Sequence, residues 1–156
     1  MYQRIMRKEI VIPSSLPDVW HAWTTSDGAV AFFAPKANIE LKIGGAYELY
    51  FDLEAQVGLQ GSEGMRILSF LPMEMLSFSW NAPPEMPNVR KERAWVVMQF
   101  ETLSAKSVKV KFCHLGWGTG EEWDRTYAYF DRAWDIVLKR LKERFEKGPI
   151  DWENIL

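Results

Sequence analysis

The sequence is poor in the residues from which many sites are built. It holds one cysteine, Cys113, and two histidines, His21 and His114, in 156 residues. A lone thiol cannot close an intrachain disulfide, which suits a reducing compartment. No two of the three residues share a metal-ligand spacing such as C-x₂-C or H-x₃-H, so no metal site is expected. Charge of one sign is also missing, since 19 Lys and Arg stand against 21 Asp and Glu for a net charge of −2. That balance excludes an electrostatic binder of nucleic acid or of an anionic membrane. No run approaches the roughly 20 apolar residues of a membrane span. The start, Met1 to Glu9, lacks the apolar segment of a secretory signal, so the expected location is the cytoplasm. Gly44-Gly45 opens no helix and precedes no Lys-Ser, and no G-x-S-x-G elbow occurs. No cofactor is expected, and Glu48, Glu63 and Glu101 read as strand residues on solvated faces.

What the chain has in excess is rings: 8 Trp, 9 Phe and 5 Tyr. With 47% apolar and 26% charged residues, this length supports one core, a single domain over 1–156 with 148–156 as a short tail. Residues 3–12 mix Ile5, Ile10, Val11 and Ile12 with charges and stop at Pro13, which predicts a first strand. Ser14-Ser15-Leu16-Pro17-Asp18 supplies a serine cap, an early proline and a first-turn acid for a short helix with Val19, Trp20 and Trp23 on its apolar face. Residues 24–27 cap a second short helix, Ala29 to Phe33, ended before Pro35.

From there to about residue 115 the hydrophobic period falls to two. A strand begins at Ile39, Gly44-Gly45 turns the chain, and Tyr47, Leu49 and Phe51 alternate with polar neighbours. Further strands are predicted over 63–71, over 75–81 with Leu76, Phe78 and Trp80 on one face, and from Glu92 to Thr102 after a stiff connection through Pro83, Pro84 and Pro87. In the last strand Val108, Val110, Phe112 and His114 share a face. Thr119-Gly120-Glu121-Glu122 matches a capping box. The helix behind it places Trp123, Tyr127, Phe130, Trp134, Val137, Leu138, Leu141 and Phe145 on one stripe and stops at Gly148-Pro149.

An antiparallel sheet must hide its apolar face, and the last helix is the long amphipathic element that can cover it. The order β-α-α-β6-α therefore predicts an α+β fold, a curved antiparallel seven-stranded sheet wrapped around a long C-terminal helix. In this order, and in Pro17-Asp18-Val19-Trp20, Ala22-Trp23-Thr24, Phe32-Phe33-Ala34-Pro35, Gly44-Gly45-Ala46-Tyr47, Glu63-Gly64, Leu76 to Trp80, His114-Leu115-Gly116-Trp117 and Glu122-Trp123, the chain resembles a known superfamily. This is the helix-grip, START-like or Bet v 1-like group, also called SRPBCC, and the likeness, which runs from about residue 5 to 146, implies the helix-grip fold. Within it the chain is similar to the AHSA-type branch, related to the activator of the heat-shock-protein-90 ATPase. Leu115 and Phe32-Phe33 depart from the residues more usual there. The resemblance implies a hydrophobic-ligand cavity between sheet and helix. For the branch it implies a stress-response role as a chaperone cofactor or protein-interaction module, and the superfamily also contains cyclase-like and dehydratase-like enzymes.

Facing residues Tyr47, Leu49, Phe78, Trp80 and Phe112 on the strands, with Trp123, Tyr127, Phe130 and Trp134 on the helix, give an apolar space with few polar handles. With His114 and Trp117 they are the candidate ligand-binding residues. An empty void of roughly 300 Å³ would cost on the order of 7 kcal/mol, comparable with a domain's whole stability. The space is therefore relaxed, wet or occupied, or else filled by the rings themselves with a modest pocket at one end. His114 either meets a ligand at the mouth or orders the turn at Gly116-Trp117. Cys113 points to the opposite face, so the two form no nucleophile-base pair. No catalytic residue can be nominated. The expected partner is a small hydrophobic or amphipathic molecule, the alternatives being a chaperone or other protein partner, or an enzyme's substrate. Ile150, Trp152, Ile155 and Leu156 must dock on their own subunit, the favoured reading, or on a second copy, which leaves monomer or homodimer open.

Overall fold

The computed structural model describes residues 4–155. Gln3, where the first strand was expected to begin, and Leu156 of the tail lie outside the described residues. The chain begins with strand β1 (Met6–Ile12), followed by α1 (Leu16–Thr24) and α2 (Ser26–Val30). The Ser15 hydroxyl accepts the Asp18 amide at 3.3 Å and caps α1, and the Thr25 hydroxyl accepts the Gly28 amide at 2.9 Å and caps α2. α2 begins and ends three residues earlier than expected because Thr25, not a later residue, supplies its cap. The elbow between the helices is tight enough to need Gly28, where a Cβ would lie 2.3 Å from the His21 carbonyl oxygen.

Strands β2 (Lys36–Ile39), β3 (Tyr47–Tyr50), β4 (Ile67–Leu71) and β5 (Met75–Trp80) follow, then a four-residue helix α3 (Pro87–Arg90), β6 (Ala94–Ser104), β7 (Ser107–Leu115) and the long helix α4 (Glu121–Lys147). The strands form two antiparallel sheets rather than one of seven: five in the order β1-β7-β6-β5-β4, and the pair β2-β3. The cause is local. Between β3 and β4 the chain turns through residues 51–66, and only isolated bridges at Ala46–Arg66 and Tyr50–Gly61, with backbone bonds such as Tyr47 N–H to Met65 O, join the two sheets. The Pro-rich stretch expected as a stiff connection holds α3, because Pro87 sits in the first turn, where its missing amide removes no helical bond.

Alternation along the strands loads one face of the large sheet. Leu76 and Phe78 of β5, Val96 and Met98 of β6, and Val108, Val110 and Phe112 of β7 are fully buried there. α4 lays its apolar stripe on that face, with Phe130, Trp134, Val137, Leu138 and Leu141 buried against it. On the β1 side the Lys8 ammonium bonds both Asp131 and Asp135 of α4 at 2.8 Å. Burial works against its charge, but the two carboxylates outweigh it and raise the Lys8 pKa.

The capping box does not form. Gly120 is the N-cap of α4 and Thr119 lies outside the helix. The Glu122 carboxylate is taken instead by α3, accepting from the Val89 amide and from Asn88 Nδ2 at 3.1 Å. These bonds, the Val89 amide first, hold its carboxyl below the usual range. Beyond Gly148 the tail docks on its own subunit: Ile150 N–H donates to Ala31 O at 2.9 Å, and Trp152 Nε1–H donates to Val30 O at 2.6 Å.

Candidate functional site

The space between the sheet and α4 is solid with rings. Tyr47 stacks on Phe78 at 4.0 Å between centroids, Phe112 meets Trp134 at 4.5 Å, and Trp80 meets Trp134 at 5.1 Å. The Tyr47 hydroxyl donates to Trp23 O at 2.8 Å, anchoring β3 to the helical elbow. Burial drives the Tyr47 pKa well up, so the phenol stays neutral. His114 is buried in the same layer, 1% exposed, and its Nδ1 accepts the Trp134 indole N–H at 3.0 Å. That bond fixes the neutral tautomer with hydrogen on Nε2, and burial depresses the His114 pKa to about 3.

Room opens at the rim. Where β5 ends at Trp80 and β3 runs on into Phe51, the sheet edge and α4 diverge, and a cleft lies between them in two adjoining halves. One half, about 380 Å³, is enclosed by the 51–61 loop, the 80–85 segment, Arg90, Tyr129 and Phe130. The other, about 250 Å³, runs along α4 past Ala133, Trp134, Ile136 and Val137 to Arg140, with Phe33 behind it. Phe51, Trp80, Tyr129 and Phe130 belong to both. The first volume falls at the small end of the range for binding sites, about 300–1,000 Å³, and the second lies just below it.

The rim is held by one partly buried ion pair and the backbone around it. Arg90 donates to the carbonyl oxygens of Gly58 at 2.8 Å and Gly61 at 2.9 Å, to Ala82 O, and to Glu63 Oε1 at 3.5 Å. Glu63 in turn accepts the amides of Gly58, Gln60 and Gly61. Glu63 thus lies in a loop and organises it, and Glu48 accepts from Tyr50, Asn38 and the Gly64 amide. The carboxylates expected to be merely solvated are structural ties. Glu101 pairs with Lys111 at 3.4 Å on the outer face.

The eleven residues singled out by sequence divide into four groups. Trp80, Phe130 and Trp134 line the cleft. His114, Trp117 and Trp123 surround a separate void of about 10 Å³, room for one water at most. Trp123 is seated there by Gly118, where a Cβ would come within 2.3 Å of its indole nitrogen. Tyr47, Leu49, Phe78 and Phe112 lie in the solid core, and Tyr127 sits at the surface under the Arg4 guanidinium, 4.7 Å from the ring centroid. Cleft residues not singled out include Phe33, Phe51, Tyr129, Ile136 and Arg140. Two signals could have found them: Tyr129, Ala133, Ile136 and Arg140 recur at helical spacing beside the main stripe, and Phe51 continues the alternation of Tyr47 and Leu49.

Two chemical absences hold among the described residues. No cluster of three His, Cys, Asp or Glu is arranged to hold a metal ion, and no helix is long and apolar enough to cross a membrane.

A sheet clasped over a ring-bearing C-terminal helix, with a helical elbow after the first strand and a cleft at the open rim, defines the helix-grip class, SRPBCC. The chain belongs to the family of Activator of Hsp90 ATPase homolog 1-like proteins, whose model matches residues 14–146. Solved structures share the fold at low identity. The X-ray structure of a Mesorhizobium loti protein superposes with TM-score 0.73 at 16% identity, covering 94% of this chain and 100% of that one. The solution structure of the Aha1 dimer from Colwellia psychrerythraea gives 0.68 at 19%, covering 93% and 98%. An AHSA1-like protein from Rhizobium etli gives 0.67 at 15%, covering 99% and 90%. No curated protein sequence matches the chain.

Proposed function

We propose that the domain is a non-enzymatic binding module that takes a small hydrophobic or amphipathic molecule in the rim cleft. The observation that carries this reading is the cleft itself, two joined spaces of about 380 and 250 Å³ walled by Phe51, Trp80, Tyr129 and Phe130. Its lining supplies aromatic surface and a few polar ends, the composition of a ligand site. His114 and Cys113 lie away from the cleft: His114 is enclosed and hydrogen-bonded to Trp134, and Cys113 faces outward against Arg7. The test is a panel of lipophilic compounds followed by tryptophan fluorescence and melting temperature. Binding should be lost in Ala133→Phe, which places a ring in the α4 half of the cleft. A panel with no response, or equal response in Ala133→Phe, overturns the reading.

A second reading, a chaperone-cofactor or protein-interaction role, draws on the family's description and on the exposed apolar residues Phe51, Leu53, Val57, Leu59 and Ile136 around the cleft. It predicts stimulation of a heat-shock-protein-90 ATPase that Val57→Asp abolishes; no stimulation counts against it.

A further inference from the structure

We infer that the cleft's ligand is an amphipathic organic anion, lying with its apolar body against the rings and its anionic group at the Arg140 end. The inference rests on the cleft being a small-molecule site and adds the chemistry of what fills it.

The two halves of the cleft differ in charge. The loop half holds Asp52 and Glu85, and its one cation, Arg90, is already engaged by three carbonyl oxygens and Glu63. An anion there meets like charge. In the α4 half Arg140 is the one charged side chain among the described lining residues, and it makes no ion pair or side-chain hydrogen bond with them. Its guanidinium rests over the Trp152 ring, 5.3 Å from the centroid, which holds a planar, always-charged donor fork at the end of an apolar trough. A carboxylate or sulfonate is the group that such a fork binds best.

A matched pair of dyes tests this. 1-Anilinonaphthalene-8-sulfonate and N-phenyl-1-naphthylamine share a ring body and differ by the sulfonate. Wild type should bind the sulfonate about tenfold more tightly, and Arg140→Gln should remove that advantage while leaving the neutral dye unchanged. Equal affinities in wild type, or equal losses for both dyes in Arg140→Gln, overturn the inference while the cleft remains a binding site. If neither dye binds and none of the lipophilic panel does either, the cleft reading fails first.

Discussion

Acidification from pH 6.5 to 5 is expected to destabilise the fold through one side chain, His114. Its imidazole is held neutral by burial, with a pKa near 3 against an ordinary value of 6.5. Between those two values the unfolded chain binds a proton that the folded chain refuses, so stability falls as pH falls. The slope is about 1.4 kcal/mol per pH unit, which removes about 2 kcal/mol by pH 5 and about 5 kcal/mol by pH 3. A domain of ordinary stability, about 5–15 kcal/mol, would lose a large share of it. The carboxylates with lowered pKa, Glu48, Glu122 and Asp151, act in the same direction but below their ordinary values of 4.5, 4.5 and 3.8, so the window from 6.5 to 5 separates them from His114. Urea denaturation followed by tryptophan fluorescence at half-unit steps of pH measures the slope. His114→Gln keeps an acceptor for the Trp134 indole and removes the titrating group, and its curve should be flatter by about 2 kcal/mol over the window. Parallel curves for the two proteins, or a folded-state histidine resonance that titrates near 6.5 and vanishes in His114→Gln, would refute the argument.

Two other substitutions test the architecture. Trp134→Ala removes a ring that is 1% exposed and contacts Phe112, Trp80 and Phe130, and it is expected to cost about 3–5 kcal/mol in chemical denaturation; a loss under about 1 kcal/mol would mean that the ring does not carry the helix-to-sheet contact. Arg90→Met removes the donor that ties the carbonyls of Gly58, Gly61 and Ala82 to the Glu63 carboxylate, an expected cost of about 3 kcal/mol with new proteolytic cleavage in the 51–61 loop; an unchanged digestion pattern would refute the bracing role.

The sequence made most of this fold legible because its periodicities are local. Alternation over 75–81 and 108–114, the serine cap at Ser15, and the stripe from Trp123 to Leu141 each follow from neighbours within a few residues. The misses share a different cause, competition from residues far along the chain. Glu122 had a valid local partner at Thr119, but α3 claimed it from 33 residues away. Pro87 carries the same restriction in a turn and in a first helical turn, and only the docking of α3 on α4 decides between them. The eleven candidate residues were chosen as the most inward rings, and that criterion selects for filled space. A cleft forms where packing stops, so its walls include half-exposed residues such as Phe51 and Tyr129, which an argument from burial ranks low.

Strand β1 pairs with β7 along its whole length, Met6 opposite His114 through Ile12 opposite Val108. The earliest element thus has its neighbour about a hundred residues downstream, and the helix that covers both comes later still. At a synthesis rate of about 5–20 residues per second, the amino-terminal ribbon waits on the order of ten seconds for its mate to leave the ribosome. Closure of the five-stranded sheet therefore waits until β7 has emerged. Through that interval the unpaired edge and the indoles of the elbow are open to whatever holdase is at hand, so the yield of native protein depends on the cell's capacity to shield a nascent chain.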